Sequence, residues 1–214
     1  MKINNGGGCF EQLPPKKNMN NFLEINDNWF YKKYFENLKK RYWTFKIALN
    51  LFLQRGGEII VETGTQRQKD DWGGGCSTTI FGDFCKKYGQ HLYTVDNNQL
   101  NLGISREETN EFKEFITYEL NDSVEFLKHF DPPIDLLYLD SLDCKENPAD
   151  CNLEAQEHVV NELKVAYNKL SEKAIILIDD NLFANGGKTR LAKEWLKKRG
   201  WICLMDYKQT LWVR

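Results

Sequence analysis

Beyond residue 57, short apolar runs alternate with amphipathic stretches, and this pattern predicts strands separated by helices. The predicted strands cover residues 58–63, 91–95, 116–120, 134–139, 174–178, 201–205 and 210–213. The predicted helices cover residues 79–85, 107–115, 123–129, 153–170 and 188–199. Alternation of this kind is typical of an α/β fold, in which a largely parallel sheet is covered by helices on both faces.

The first 57 residues have a different pattern. Residues 1–21 are rich in Asn, Gly, Lys and Pro and are predicted to be an irregular segment. Residues 22–57 are predicted to be a helical extension, as one long helix or two, because aromatic and aliphatic residues recur there at three- and four-residue steps up to Gly56. We interpret its aromatic residues as packing residues, with a lid over a binding site or a dimer surface as the alternative.

Composition narrows the class of protein. The chain has 214 residues, is 41% hydrophobic and carries a formal net charge of −2, which favours one globular domain and disfavours a general nucleic-acid binder. The basic runs 39–41 and 197–199 are interpreted as solvated helix faces. The sequence contains no apolar run of membrane-spanning length and no signal-peptide pattern, so we expect a cytoplasmic protein with free cysteines. Cys144 and Cys151 share one polar loop, but their spacing is not that of a zinc site.

A glycine-rich segment follows the first predicted strand. Glu62-Thr63-Gly64-Thr65 ends that strand, and Gly73-Gly74-Gly75-Cys76-Ser77-Thr78 precedes a predicted helix. A glycine-rich turn between a strand and a helix lets backbone N–H groups approach a ligand closely. The lysine of a phosphate-binding loop is missing, and so is the Gly-x-Gly-x-x-Gly fingerprint of dinucleotide-binding proteins.

Acidic residues end four of the predicted strands. These residues are Glu62, Asp96, Asp140 and the pair Asp179-Asp180. Ligands of open α/β sheets bind at the carboxyl ends of the strands. Turns favour Asp, so any one of these residues has an ordinary explanation, but four acidic strand ends along one edge predict a functional site.

Together these motifs, in this order over residues 58–214, resemble the class I S-adenosylmethionine-dependent methyltransferases. The resemblance implies a Rossmann-like, mostly parallel seven-stranded sheet with a C-terminal antiparallel strand. In that family the acid at the position matched by Asp96 binds ribose hydroxyls, and the residues at the positions matched by Asp122 and its neighbours contact adenine. The implied cofactor-binding residues are Glu62, Thr63, Gly64, Thr65, Gly75, Ser77, Thr78, Asp96, Asn97, Asp122, Ser123 and Asp140. Residues 66–72 depart from the pattern as an insertion, either over the methionine part of the cofactor or as an exposed loop.

A second resemblance concerns a metal. Asp140, Asp180 and Asn181 resemble the acid and the Asp-Asn pair of catechol-type and macrolide-sugar O-methyltransferases, which implies a Mg²⁺ site with three oxygen ligands. The alternative is a simple cap between strand and loop. The lysine that serves catechol-type enzymes as general base is replaced by Asp143. Asp143 and His158 are therefore the candidate catalytic residues, and the alternative for His158 is a surface or packing role.

The resemblance therefore implies a methyltransferase that acts on a hydroxyl of a small molecule or sugar with Mg²⁺ assistance, without a nucleic-acid or membrane partner. A homo-oligomer formed through the N-terminal helices is a further expectation. The alternative function is a non-catalytic Rossmann-like binding or association module. The two functions differ in whether the acidic edge of the sheet faces open cavities or is filled by side chains.

Overall fold

The sheet is the centre of the fold. The computed structural model describes residues 27–73, 76–145 and 152–214. Its strands are β1 (Ile59–Thr63), β2 (His91–Asp96), β3 (Ile116–Leu120), β4 (Ile134–Leu139), β5 (Leu170–Ile178), β6 (Ile202–Asp206) and β7 (Thr210–Val213). The strand order is β3-β2-β1-β4-β5-β7-β6, and the first five strands are parallel while β7 is antiparallel to both of its neighbours. The predicted fold class is confirmed.

Seven α-helices surround this sheet in the described part of the chain. They are α1 (Asp27–Leu38), α2 (Tyr42–Gln54), α3 (Ser77–Tyr88), α4 (Gln99–Glu108), α5 (Ser123–His129), α6 (Leu153–Ala166) and α7 (Thr189–Lys197). Within the described ranges, no helix combines the length and the apolar character that crossing a membrane would require.

Two apolar cores lie on opposite faces of the sheet. One contains aromatic side chains of α1, α2 and α3, among them Tyr34, and in it Phe45 and Phe81 pack on Tyr138 of β4. The other is formed by α5, α6 and α7 around Trp212 of β7. Burying a large side chain contributes about 1.5–3 kcal/mol, so these aromatic residues attach the N-terminal helices firmly to the sheet. The interpretation of those aromatics as packing residues is confirmed.

Local signals explain where several elements begin and end. α1 and α2 are separate helices, joined by a 3₁₀ turn over residues 39–41 in which Lys39 has a φ of +49°. The predicted helix over residues 107–115 is only partly confirmed, because the α-helix of this region lies earlier in the chain. The Asn98 side chain accepts a hydrogen bond from the backbone of Leu100 and starts α4 at residue 99, and a 3₁₀ segment covers residues 110–115. The other predicted strands and helices agree with the described structure apart from shifted ends, and the predicted irregular segment over residues 1–21 lies outside the described residues.

Candidate functional site

The chain turns sharply after β1, and Gly64 makes this turn possible. Its φ is +82°, a value that only glycine adopts without strain. A Cβ at this position would lie 2.5 Å from the backbone oxygen of Asp140, so the ends of β1 and β4 approach too closely for any side chain. The Gly64 N–H also donates to the Val95 oxygen at 2.8 Å. The turn is thereby fixed against β2 and β4, with a crevice above it.

Asp96, the last residue of β2, faces this crevice. Its carboxylate accepts hydrogen bonds from the backbone of Asn98 at 2.8 Å and of Thr65 at 3.3 Å, and from the Asn101 amide at 3.2 and 3.3 Å. All these donors are uncharged, and no lysine or arginine of the described residues pairs with Asp96. The carboxylate is therefore oriented without being neutralised.

Two adjoining cavities around Asp96 share Gly64, Asn97 and Ser141 in their walls. We call them together the Asp96 cavity. Eight of the predicted cofactor-binding residues line it: Gly64, Thr65, Ser77, Asp96, Asn97, Asp122, Ser123 and Asp140.

At one end of the Asp96 cavity, polar side chains form a connected set. One oxygen of Asp122 accepts hydrogen bonds from the backbone of Val124 and Glu125, each at 3.0 Å, and so caps α5. The Ser123 hydroxyl lies 3.0 Å from Nε2 of His158, which in turn lies 3.5 Å from the Glu162 carboxylate.

His158 is therefore placed in the Asp96 cavity, next to Ser123 and Glu162. The hydrogen bond with Glu162 raises the pKa of His158, while partial burial opposes the rise. The structure does not bring His158 together with Asp143, the other candidate base.

Three predicted cofactor residues, Glu62, Thr63 and Thr78, are fully buried behind the cavity wall. One Glu62 oxygen accepts hydrogen bonds from the hydroxyls of Thr78 and Thr94, each at 2.7 Å, and the other oxygen has no hydrogen-bond partner among the described residues. Burial raises the pKa of Glu62 to about 7, although the hydroxyl donors oppose the rise. Thr78 also accepts the N–H of Gln66 at 3.0 Å. Glu62 and Thr78 thus hold the loop after β1 in place from its buried side. Gly75 lies outside the described residues.

A second cavity, of about 220 Å³, lies at the ends of β4 and β5. We call it the Asp180 cavity. It shares Asp140 and Arg67 with the Asp96 cavity, so the two adjoin. The acidic edge of the sheet therefore faces open cavities and is not filled by side chains. Its acidic lining residues are Asp140, Asp143, Asp179 and Asp180.

Asp179 is held by a buried arginine. Arg41, from the turn between α1 and α2, pairs with it at 3.0 Å, and both side chains are less than one-tenth exposed. The Tyr138 hydroxyl and the Gln209 amide donate to the same carboxylate at 2.6 and 2.9 Å. Burial alone would raise the pKa of Asp179, but Arg41 and the Tyr138 hydroxyl outweigh it and lower the pKa. The interpretation of residues 39–41 as a solvated face is wrong for Arg41.

Asp140 and Asp180 share a lysine. The ammonium group of Lys188 lies 2.5 Å from Asp140 and 3.2 Å from Asp180, and the lysine side chain is fully buried. Burial alone would lower the pKa of Lys188, but the two carboxylates outweigh it and raise the pKa. The sequence pattern predicts Lys188 only as the start of a helix. The feature of the sequence that could have indicated its role is the Gly186-Gly187 pair directly before it.

The residues that the resemblance assigns to Mg²⁺ do not fit a metal site in this arrangement. Asp140 and Asp180 are bridged by Lys188. The Asn181 side chain donates to Asp206 at 2.9 Å and accepts from the Thr189 hydroxyl, and it does not line the Asp180 cavity. Among the described residues, no cluster of three or more His, Cys, Asp or Glu could hold a metal ion.

The insertion over residues 66–72 is anchored on both sides. Arg67 forms a two-pronged pair with Asp143 at 2.5 and 3.2 Å, with both side chains substantially exposed. Trp72 contacts the Tyr34 ring, and its backbone oxygen accepts a hydrogen bond from Arg41. The insertion therefore connects the N-terminal helices to the boundary between the two cavities. Asp143 is held in a surface ion pair.

A larger cavity, of about 520 Å³, lies between α6 and α7. None of the predicted site residues lines it. We therefore place the functional site at the acidic strand ends, where charged groups converge, and not at this larger opening.

Comparison with known proteins gives one family match. A family model described as a methyltransferase domain matches residues 72–181, which is 110 of the 214 residues and includes Asp96, Asp140 and Asp180. No curated protein matches the sequence.

Solved structures share the fold at low sequence identity. A methyltransferase from Geobacter sulfurreducens is 14% identical with a TM-score of 0.54, and the match covers 76% of this chain and 74% of that one. The methyltransferase PaMTH1 of Podospora anserina, solved with S-adenosylhomocysteine (SAH), is 16% identical with a TM-score of 0.55 and coverages of 87% and 84%. MycE of the mycinamycin biosynthetic pathway, solved with Mg and SAH, is 14% identical with a TM-score of 0.60, covering 90% of this chain and 55% of MycE.

These structures share the fold, and the family match covers more than half of the chain. The chain belongs to the methyltransferase domain family.

Proposed function

We propose that this protein is an S-adenosylmethionine-dependent methyltransferase that methylates a hydroxyl group of a small polar molecule or sugar. One observation carries the proposal. The Asp96 cavity presents an oriented, unneutralised carboxylate, and it shares a wall with an acidic second cavity through Asp140.

The Asp96 cavity suits the nucleoside part of the cofactor. A carboxylate with two oxygens can accept hydrogen bonds from two vicinal hydroxyls, and charge-assisted bonds of this kind are strong. Asp122 and Ser123 lie at the end where the resemblance implies adenine. Gly64 lines this cavity and makes the sharp turn beside it possible. The family match and the SAH-bound relatives support the same assignment.

The Asp180 cavity suits the acceptor. When bound, S-adenosylmethionine supplies a methyl group on a positively charged sulfur, and a hydroxyl oxygen is a nucleophile that this group can alkylate. Carboxylates such as Asp143 and Asp180 can accept the hydroxyl proton in a hydrogen bond and so orient the oxygen. MycE, which has a similar fold, was also solved with mycinamycin VI. Magnesium has no part in this proposal, because Lys188 lies between the two carboxylates that would bind it.

Calorimetric titration with S-adenosylmethionine and SAH tests the cofactor. We expect one saturable site per chain for each compound. If neither compound produces heat of binding at concentrations where the protein stays folded, the proposed function is wrong.

Two glycine variants make the titration specific to the Asp96 cavity. Gly64→Ala and Gly89→Ala both place alanine at a positive φ, +82° and +75°, but only at Gly64 does a Cβ meet another part of the chain within 4 Å. We expect Gly64→Ala to lose SAH binding and Gly89→Ala to keep it. Circular dichroism of both variants separates loss of binding from loss of folding, and equal affinities would contradict the role of the Gly64 turn.

A further inference from the structure

The acidic pair at the ends of β4 and β5 already has a cation. Asp140 and Asp180 are the two carboxylates that the metal-dependent resemblance requires, and the Lys188 ammonium contacts both, at 2.5 and 3.2 Å. The lysine is fully buried, whereas the two aspartates are 15% and 19% exposed. The positive charge therefore lies behind the carboxylates, and the carboxylates face the cavity.

The backbone around Lys188 fixes this position. The Lys188 N–H donates to the Asp180 oxygen at 3.2 Å and closes the loop between the two residues. Gly187 has a φ of +52°, and a Cβ there would lie 1.7 Å from the same oxygen, so only glycine fits. Asp180 itself has a φ of +54°, which aspartate tolerates better than most residues. Two unusual backbone conformations are thus maintained where the lysine returns to the acids.

The third residue of the resemblance is engaged elsewhere. Asn181 donates to Asp206 and to the backbone of Tyr207, accepts from Thr189, and is 5% exposed. Its amide therefore joins the start of α7 to the turn between β6 and β7. Turning this amide toward Asp140 would break all three hydrogen bonds in a buried setting, where each unsatisfied group costs about 1–3 kcal/mol.

A divalent ion and Lys188 would compete for the same two carboxylates. A Mg²⁺ ion prefers six oxygen ligands at about 2.0–2.1 Å. Reaching Asp140 at that distance would place it against an ammonium group that is itself in contact with the carboxylate, and like charges so close in a buried site repel strongly. Displacing the ammonium would separate a fully buried lysine from both of its carboxylates, which is costly.

We propose that Lys188 serves as an internal cation at the position where related metal-dependent enzymes hold a divalent ion, and that it positions Asp140 and Asp180 without a bound metal. Lys188 is then a positioning residue for the acceptor site. This inference rests on the proposed function only for the role of the Asp180 cavity. It contradicts the Mg²⁺ assistance that the sequence resemblance implies.

The test measures Mn²⁺ binding by electron paramagnetic resonance on full-length protein first stripped with EDTA. We expect the wild type to leave the free-ion signal unchanged. Lys188→Ala removes the ammonium and leaves two carboxylates, so we expect it to bind one Mn²⁺ per chain at least about tenfold more tightly than the wild type. Lys193→Ala is the matched control, since Lys193 lies on α7 and pairs with the single aspartate Asp206 at 2.7 Å. We expect no binding from this control.

One saturable Mn²⁺ site in the wild type that Asp140→Asn abolishes would overturn the proposal. Should Lys188→Ala fail to fold, the wild-type titration still decides, because its result does not depend on a variant. The readout needs neither cofactor nor acceptor. A SAH titration on the same sample therefore shows separately whether the proposed function holds.

Discussion

The aspartates in the two halves of the same sheet edge differ in whether they pair with a cation of the protein. At the end of β2, Asp96 is held by backbone and amide donors and pairs with no lysine or arginine of the described residues. At the ends of β4 and β5, Asp179 and the Asp140–Asp180 pair are held by buried Arg41 and Lys188. The strands enter this edge in parallel and end in the same kind of residue, yet one half keeps an unneutralised charge and the other supplies its own cations.

The difference separates two kinds of work. An oriented carboxylate without a paired cation attracts a ligand that donates hydrogen bonds, because no internal group neutralises its charge. Carboxylates that already pair with a buried cation form a rigid polar wall, and this cation neutralises much of their charge. We therefore expect substitutions at the first half to change ligand affinity, and substitutions at the second half to change stability and geometry.

The largest expected effect is on stability. Arg41→Met should lower the free energy of unfolding by about 3–5 kcal/mol, because it leaves the buried Asp179 carboxylate without its cation. Urea denaturation followed by circular dichroism measures this loss. A loss of less than about 1 kcal/mol would show that the second half does not depend on its internal cation.

The next effect is a pH dependence of stability at Glu62, which is buried in β1 behind the Asp96 cavity. Its folded-state pKa is raised from 4.5 to about 7, so between these pH values the folded protein keeps a proton that the unfolded chain releases. Stability should therefore fall as pH rises through this window and stay at the lower level above it. Glu62→Gln should remove about 2–3 kcal/mol of that fall. Urea denaturation at pH 5 and pH 8 checks it, with Glu172→Gln, an exposed glutamate, as the control.

Affinity distinguishes the halves directly. Asp96→Asn should weaken SAH binding about 10- to 100-fold, because a hydrogen bond to a charged group contributes about 1.5–3 kcal/mol. The same change at Asp180 should alter SAH affinity by no more than about threefold, because Asp180 lies outside the Asp96 cavity. Calorimetry on both variants measures this. Equal losses would remove the distinction between the two halves.

The smallest effect is expected at the boundary of the two cavities. Arg67→Met removes the exposed pair with Asp143 and should change the free energy of unfolding by less than about 1 kcal/mol. Since salt screens exposed pairs, even this change should vanish near about 1 M salt. Urea denaturation at low and high salt measures it, and the variant is also the matched control for Arg41→Met. A loss as large as that of Arg41 would mean that exposure does not decide the contribution of these arginines.

The sequence predicts the frame of the site well. An apolar run followed by an acid identifies Asp96 and Asp140 as strand ends, because parallel strands must be buried on both faces and must end at one edge. The sequence also predicts a glycine turn at position 64, on the ground of ligand approach, whereas the structure requires the glycine for its positive φ and its closeness to Asp140. These features depend on patterns within a few residues of the chain.

The features that the sequence does not predict depend on the direction in which a side chain points and on partners that are distant in sequence. Asn181 follows an acidic strand end as the pattern requires, but the positive φ of Asp180 and the turn at Gly187 send its amide away from the cavity. Arg41 belongs to a basic run whose first two members are exposed, and only the 3₁₀ turn directs the third inward. Its partner is 138 positions further along the chain. No local pattern contains that information.

The attachment of α2 has a consequence for the order in which the chain emerges during synthesis. α2 packs on β5 and β7, and Thr44 donates a hydrogen bond to Gln209 just before β7. The helix is therefore made early, but its apolar face has no complete partner until the last strand has been translated. Until that strand is available, the part of the α2 face that packs on β7 remains uncovered, which is a state prone to association with other chains. A ribosome-bound chain that stops before residue 210 should consequently engage a chaperone, and release of the final strand should end that engagement.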